Sequence, residues 1–483
     1  MRFKRIHKGR WAGAALLALL LVLSSACGGA GGGSEGSPSG SGSAAPSSDA
    51  GGSATESAAA GGAENGQTVE ITVWDQPKAD DILKPVWDEI YQQFEQENPN
   101  IKVHHELAPN GTNDREVFVT AMAGGNGPDA YGAAHFPIIG DWVKQGFALD
   151  LTDYWNRYED RDQYLDSAMQ AANIDGKIYG IPNSMYVMGL LYNKTLYRDA
   201  GLDPEKPPAN WDEFAQYAQK LTKPDKNQYG YTILGMEWAD WWFEYYVWQA
   251  GGDLTTRNDD GTVTLDFSKQ PAVTALQFYK DLKWKYKVVQ KNVVQSYQDN
   301  YNDFFQGRSA MILGSSDGFG SLVQNGMDLN DIGFAPFPVG PSGQAPSQMG
   351  GAYWIVNPKT SKEKQDAAIK YIEFRQSKEV LEKILQFQSD NGILPNLLTV
   401  RKDVDPTNYL QNVPQELVDN VRKAAENTHL EYFLKERLTP YVVKAVQKVL
   451  TDAGADPLTE LKAAEALAQR EVIDPYNKEV KPG

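Results

Sequence analysis

Between Val69 and Trp74 polar and apolar residues alternate, the two-residue period of a strand with one buried face. Pro85 fits the first turn of a helix, and Val86, Ile90 and Phe94 then recur every four residues, a single apolar stripe that Asn98-Pro99-Asn100 ends. Ile101-Lys102-Val103 reads as the next strand. A strand, a crossover helix and a second strand form the repeating unit of an open parallel sheet with helices on its faces, so the folded part is predicted to be α/β. Further strands are expected at residues 129–132 and 333–335, and helices at Trp211–Leu221, 271–286, 362–376 and 458–472, with Asn210 and Ser361 as N-caps. No internal repeat is found.

What precedes this unit is of another kind. Arg2, Lys4, Arg5, Lys8 and Arg10 lead an uncharged Leu/Ala-rich run that ends at Ala26, the pattern of a signal peptide. The run is about sixteen residues, short of the roughly twenty that a membrane-spanning helix needs. The mature chain is therefore expected not to cross a membrane. Cys27, the single cysteine of the sequence, follows Ser24, Ser25 and Ala26. Residues 1–27 resemble the leader and lipobox of a bacterial lipoprotein, with Ser24 where such motifs usually place an aliphatic residue, and lipidation is expected at Cys27. One thiol excludes disulfides and Cys-based metal sites in the folded part. Residues 28–67 are almost wholly Gly, Ser, Ala and Pro, without an aromatic residue to seed a core, and read as a disordered tether.

Loss of the five leader cations would take the formal charge from −17 to −22. A surface of that sign repels phosphate backbones, so nucleic acid is not an expected partner. The roughly 400 residues after the tether exceed a single comfortable core, and at least two domains are expected.

Several segments then resemble the extracellular solute-binding proteins of carbohydrate ABC importers, the maltose-binding-protein-like family. They are Ile71-Thr72-Val73-Trp74-Asp75-Gln76; Gly127-Pro128-Asp129-Ala130-Tyr131 with His135 and a helix read over residues 142–151; and Gly176-Lys177-Ile178-Tyr179-Gly180-Ile181-Pro182 with Leu191-Tyr192-Asn193-Lys194. Phe305-Gln306-Gly307-Arg308-Ser309-Ala310-Met311 and Gly350-Gly351-Ala352-Tyr353-Trp354 complete the set. The resemblance runs from about residue 68 to the C-terminus. It implies two α/β lobes joined by hinge segments, each a mainly parallel sheet flanked by helices, with 68–184 and 335–385 in the first lobe and 186–334 and 386–483 in the second. It also implies a monomer that captures a sugar between the lobes, an oligosaccharide or disaccharide, and delivers it to a membrane permease, with no cofactor.

A sugar presents hydroxyls at its rim and C–H patches on its faces, so its binder needs flat rings beside groups that donate and accept hydrogen bonds. Residues 238–248 hold seven aromatics, and on a helix Trp241, Tyr245 and Trp248 share one face while Trp242 and Tyr246 share the next. Two aromatic faces are not both expected inside an amphipathic helix, so at least one of Trp241, Trp242 and Tyr245 is expected in the cleft, with Trp248 structural. Asp75, Gln76, His135 and Phe136 follow strand ends, where open sheets place ligands. Phe136 and Tyr186 stand where the resemblance implies carboxylates in the maltose binders, which points away from maltose and toward stacking. Asp317 and Phe319 follow the apolar strand 310–313. After Gly350 and Gly351, a pair read as flexible and Gly351 as a ligand neighbour, Tyr353 and Trp354 face opposite ways, with Tyr353 the one toward the cleft.

Two rival classes remain. Gly314-Ser315-Ser316-Asp317-Gly318 fits the nucleophile-elbow pattern of a hydrolase with Ser316 as nucleophile, but the only downstream histidine, His429, reads as helical. A glycosidase would pair two carboxylates from Asp75, Asp317 and Asp390. A binder of a non-sugar solute on the same fold is the other alternative; against it, these cleft candidates include no acidic cluster for a cation and no arginine pair for an anion. His104 and His105 are neighbours on a strand and point to opposite faces, and no metal motif is present.

Overall fold

The computed structural model describes residues 68–107, 114–135 and 138–481. The leader, Cys27, the tether and Phe136 lie outside the described residues.

The opening unit forms as its periodicity predicts. Strand β1, Val69–Trp74, is followed by helix α1, Lys84–Glu97, with Pro85 in its first turn and Val86, Ile90 and Phe94 buried. Each of these side chains contributes about 1.5–3 kcal/mol by leaving water. Asn98 stops the helix, its side-chain amide donating to the Phe94 carbonyl at 2.9 Å. Strands β2, Ile101–Glu106, and β3, Ala130–His135, both pair with β1 in parallel.

Two long strands organise the rest. Ser347–Val356 runs antiparallel beside β3 at one end, with Val356 opposite Ala130 and Ala352 opposite His135. It runs antiparallel to Ile181–Asn193 along the whole shared length, from Trp354 opposite Ile181 to Met349 opposite Val187. The far end of Ile181–Asn193 pairs with strands Met311–Ser315 and Ile332–Ala335. The two strands thus leave one hydrophobic core and enter another. The first core is built from β1 to β3, α1 and the Lys362–Arg375 helix, with Trp354, Tyr371 and Ile372 fully enclosed. The second gathers residues 187–192, the Ala239–Gln249 helix, strand Met311–Ser315 and the C-terminal helices Lys435–Thr451 and Pro457–Ala468.

At the crossing the ladder slips between Ala352 and Tyr353 and again between Tyr353 and Ile355. The glycine pair beside this irregularity serves packing rather than flexibility. A Cβ on Gly350 would lie 2.2 Å from the Tyr186 ring, and one on Gly351 would lie 2.1 Å from the Ser184 carbonyl oxygen.

Other readings need correction. The helix after β3 spans Ile138–Lys144, not 142–151, because Gly146 with φ +70° turns the chain. His429 sits in a two-residue strand, Thr428–His429, paired with Ser347 and Gln348, not in a helix. The aromatic helix Ala239–Gln249 is buried at every position, Trp241 being its most open ring at 9%, so both aromatic faces are largely interior; a helix enclosed to this degree does not need a polar face. Among the described residues no helix is long and apolar enough to cross a membrane.

Candidate ligand-binding site

Where the two long strands cross, a cavity of about 470 Å³ opens between the cores, within the range of small-molecule sites. Its first-core wall is His135, Gly351 and Tyr353, and the crossing strands add Tyr186, Gln348, Met349 and Gly350. The second core supplies the larger share, in three chain segments: Glu237, Trp238 and Trp241; Tyr297, Ser315 and Asp317; and Glu431, Lys435, Glu436, Thr439 and Pro440. A wider depression of about 860 Å³ under Trp155, Gln170 and Lys402 lies on the first core, and none of the proposed ligand-binding residues lines it.

Local structure aims these groups. Trp238 precedes the Ala239–Gln249 helix with φ +61°, a left-handed conformation that is rare for a bulky side chain and costs roughly 1–2 kcal/mol. Its indole meets the Tyr297 ring edge-on at 5.4 Å. Glu237 accepts a hydrogen bond from the Tyr297 backbone N–H at 3.1 Å, holding the same two segments together. Leu434 is likewise left-handed, φ +60°, at the start of the helix that carries Lys435, Glu436 and Thr439. Backbone strain at the start of both helices indicates that the surrounding fold holds them in place.

Gln348 is the junction of the floor. Its side-chain oxygen accepts from both the Trp241 indole and the Tyr245 hydroxyl, and its amide donates to Glu431. Glu431 pairs with Lys435 at 2.8 Å, and the Lys435 ammonium stands 5.4 Å from the Trp241 ring centre. Behind this pair lie Asp240, which accepts from Tyr432 and Thr439 at 2.6 and 2.7 Å, and Glu244, fully enclosed. Burial holds the Glu244 carboxyl well above its ordinary range, with Lys435 pulling the other way. Burial likewise raises Glu431. For Lys435 desolvation favours the neutral amine, but the attraction of Glu431, Glu244 and Asp240 outweighs it and keeps the ammonium charged. In the first core His135 Nδ1 lies 2.9 Å from the Gly351 carbonyl oxygen; a carbonyl only accepts, so the proton sits on Nδ1.

Asp317 ends the apolar strand Met311–Ser315 in a short 3₁₀ turn. More than a third of its surface is open, but to a concavity, and the protein around it removes enough water to hold its carboxyl above the usual range. The Ser315 hydroxyl and the Asp317 backbone amide offset that shift only in part.

Of the residues proposed from sequence, the fold brings His135, Tyr186, Trp241, Asp317, Gly351 and Tyr353 to the cavity. It takes others away from it, each for a physical reason. The Asp75 carboxylate is enclosed in the first core, hydrogen-bonded to His105 at 2.8 Å and to the Tyr371 hydroxyl, with Arg375 at 3.7 Å. Gln76 is exposed beyond the end of β1, its backbone N–H donating to the Glu106 carbonyl. Trp242 is enclosed and touches the cavity only through Tyr297, whose ring it meets edge-on at 6.3 Å. Tyr245 is also enclosed and acts through Gln348. Phe319 packs against Phe334 in the second core, 1% exposed.

Sequence reasoning missed Glu237, Trp238, Tyr297, Gln348, Glu431 and Lys435, which also corrects the expectation that the cleft lacks an acidic cluster. Trp238 carried a visible signal, because it heads the aromatic run. Ser316 is buried, and its Oγ accepts from the Val187 amide at 3.2 Å. His429, the downstream histidine, packs against Trp248 with the rings tilted, 4.7 Å between ring centres, and lies 3.6 Å from Asp253.

Residues 78–382 match the family described as bacterial extracellular solute-binding protein. A binding protein of Brucella abortus is 29% identical over 340 residues, covering 68% of this chain and 75% of that protein. An ABC transporter solute-binding protein of Thermotoga lettingae, solved with α-D-tagatose, superposes with TM-score 0.70 at 23% identity, over 83% of this chain and 99% of its own. UgpB of Mycobacterium tuberculosis, solved in complex with glycerophosphocholine, gives 0.71 at 21% identity over 85% and 99%.

Proposed function

Because the chain belongs to the bacterial extracellular solute-binding proteins, we propose that its cavity captures a carbohydrate and presents it to the permease of an ABC importer. One observation carries the choice of ligand. Five aromatic residues, Tyr186, Trp238, Trp241, Tyr297 and Tyr353, line a cavity that also offers Gln348, Asp317, His135 and Thr439 as hydrogen-bonding groups. Rings cover the C–H faces of a pyranose and the polar groups meet its rim. The tagatose complex of the Thermotoga lettingae protein is in keeping with this reading.

In the proposed cycle the sugar docks on the second-core wall, which carries most of the lining, and His135 and Tyr353 then approach as the first lobe rotates about the strands Ile181–Asn193 and Ser347–Val356. Closure is driven by the contacts that only the closed form makes. Micromolar affinity, about −8 kcal/mol, retains the ligand and still permits release. The protein works outside the cytoplasmic membrane, tethered through lipid on Cys27; mass spectrometry of the detergent-extracted protein should find diacylglycerol there. Calorimetry against a panel of mono- and oligosaccharides tests ligand class. Saturable micromolar binding with heat but no turnover is expected, and a panel without a single binder sinks the carbohydrate reading.

A further inference from the structure

Three of the places among the described residues where a carboxylate lies beside aromatic rings bear comparison, and in two of them the chain supplies a cation of its own. At Asp75 the guanidinium of Arg375 lies 3.7 Å from the carboxylate and 4.0 Å from the ring centre of Trp87. At Glu431 the ammonium of Lys435 lies 2.8 Å from the carboxylate and 5.4 Å from the Trp241 ring centre. The third place is the cavity wall formed by Glu237, Trp238, Tyr297 and Asp317. Among the described residues no lysine or arginine pairs with Asp317 or Glu237, and no cation contributes to the state of the Asp317 carboxyl.

The two filled places display what such a setting attracts: a positive charge takes Coulomb energy from the carboxylate and quadrupole attraction from the ring faces at once. The third has carboxylates and rings but no cation of its own, faces the cavity that the Glu431–Lys435 pair also lines, and is tied together through Tyr297. Glu237 is hydrogen-bonded to the Tyr297 backbone, Trp238 packs on Tyr297, and the Asp317 charge acts on the Tyr297 hydroxyl. A neutral sugar would leave both carboxylates without a counter-charge in this concave wall, where the protein already desolvates Asp317.

We propose that this wall is a cation seat, and that the ligand carries a protonated amine or quaternary ammonium group which docks between Asp317 and Glu237 against the rings of Trp238 and Tyr297. The proposal deepens the carbohydrate reading, on which it rests for the occupant's remaining part: an amino sugar or a cation-headed polyol rather than a neutral glycan. The Glu431–Lys435 end of the cavity, already balanced, would take the neutral part of the ligand.

Calorimetry on the whole mature chain with two matched probe pairs tests it. The glucosamine trimer is compared with its N-acetylated form, and choline with its uncharged carbon isostere. The cationic member of at least one pair should bind at least tenfold more tightly at low salt. Asp317→Asn and Glu237→Gln, both substitutions of side chains on the cavity surface, should each remove most of that advantage and change the neutral member far less. An advantage confined to choline, with neither trimer bound, supports the seat and sinks the carbohydrate reading. Binding of the acetylated trimer with no cationic advantage in either pair overturns the seat and leaves carbohydrate capture standing. An advantage that survives both substitutions, or no cationic advantage at all, also overturns it.

Discussion

Asp75 and Asp317 stand at equivalent places, each just beyond the end of a core strand and each amid aromatic rings, yet one is sealed and the other open. Around Asp75 the chain closes the setting itself, with His105, Tyr371 and Arg375 taking the carboxylate and Tyr91 and Trp87 stacked over these partners. Around Asp317 only Ser315 and backbone answer, and the rest of the carboxylate faces the cavity. An acid at a strand end is therefore ambiguous: paired with a built-in cation it is part of the fold, and left without one it is available to a ligand.

The sharpest way to break this contrast is to remove the sealed acid. Asp75→Ala leaves Arg375 buried without a counter-charge and should cost about 3–5 kcal/mol of unfolding free energy by chemical denaturation, while the affinity of the folded fraction for its ligand stays within about twofold. Loss of affinity at undiminished stability would move Asp75 into the binding site. Gly350→Ala is next: its Cβ would displace the Tyr186 ring, costing about 1–3 kcal/mol and weakening binding together, since Tyr186 forms cavity wall. Trp238→Gly should separate the two effects. Lost packing is partly offset by relief of the left-handed backbone, so stability changes by about 1 kcal/mol or less while ligand affinity falls at least tenfold, as read by calorimetry.

The smallest effect concerns the open acid and its sign. Because the Asp317 carboxyl is raised in the folded state, the native protein holds that proton more firmly than the unfolded chain does. Its contribution to stability therefore declines as pH rises through the ordinary carboxylate range toward the raised folded value, and stays low above it. Asp317→Asn should match the parent relative to other variants near pH 4 and exceed it at pH 7 by a few tenths of a kcal/mol, solvent access keeping the gain small. A variant less stable than the parent at pH 7 would show that the carboxylate serves the fold.

Much of the fold was legible from periodicity. The stripe Val86, Ile90 and Phe94, the alternation in β1 and the caps at Asn210 and Ser361 each express a local rule, and each appears where the pattern places it. The aromatic run 238–248 was legible as important but not as to direction, because its amphipathic reading assumes one side faces water, and here the core surrounds the helix. The site was half legible. Strand-end position and motif likeness reach His135, Asp317 and Tyr353, but Phe319 and Asp75 satisfy the same criteria and are buried.

By itself the sequence determined the elements, their α/β order and the aromatic and acidic stock from which a site could be built, since all of these depend on spacing along the chain. Only the tertiary structure decided which members of that stock meet. Glu237, Tyr297, Asp317, Gln348, Glu431 and Lys435 come from segments far apart in sequence, and no local period records that packing brings them to one cavity. The same packing decided which acids already had a cation, because a charge partner such as Arg375, 300 residues from Asp75, is chosen by proximity in space.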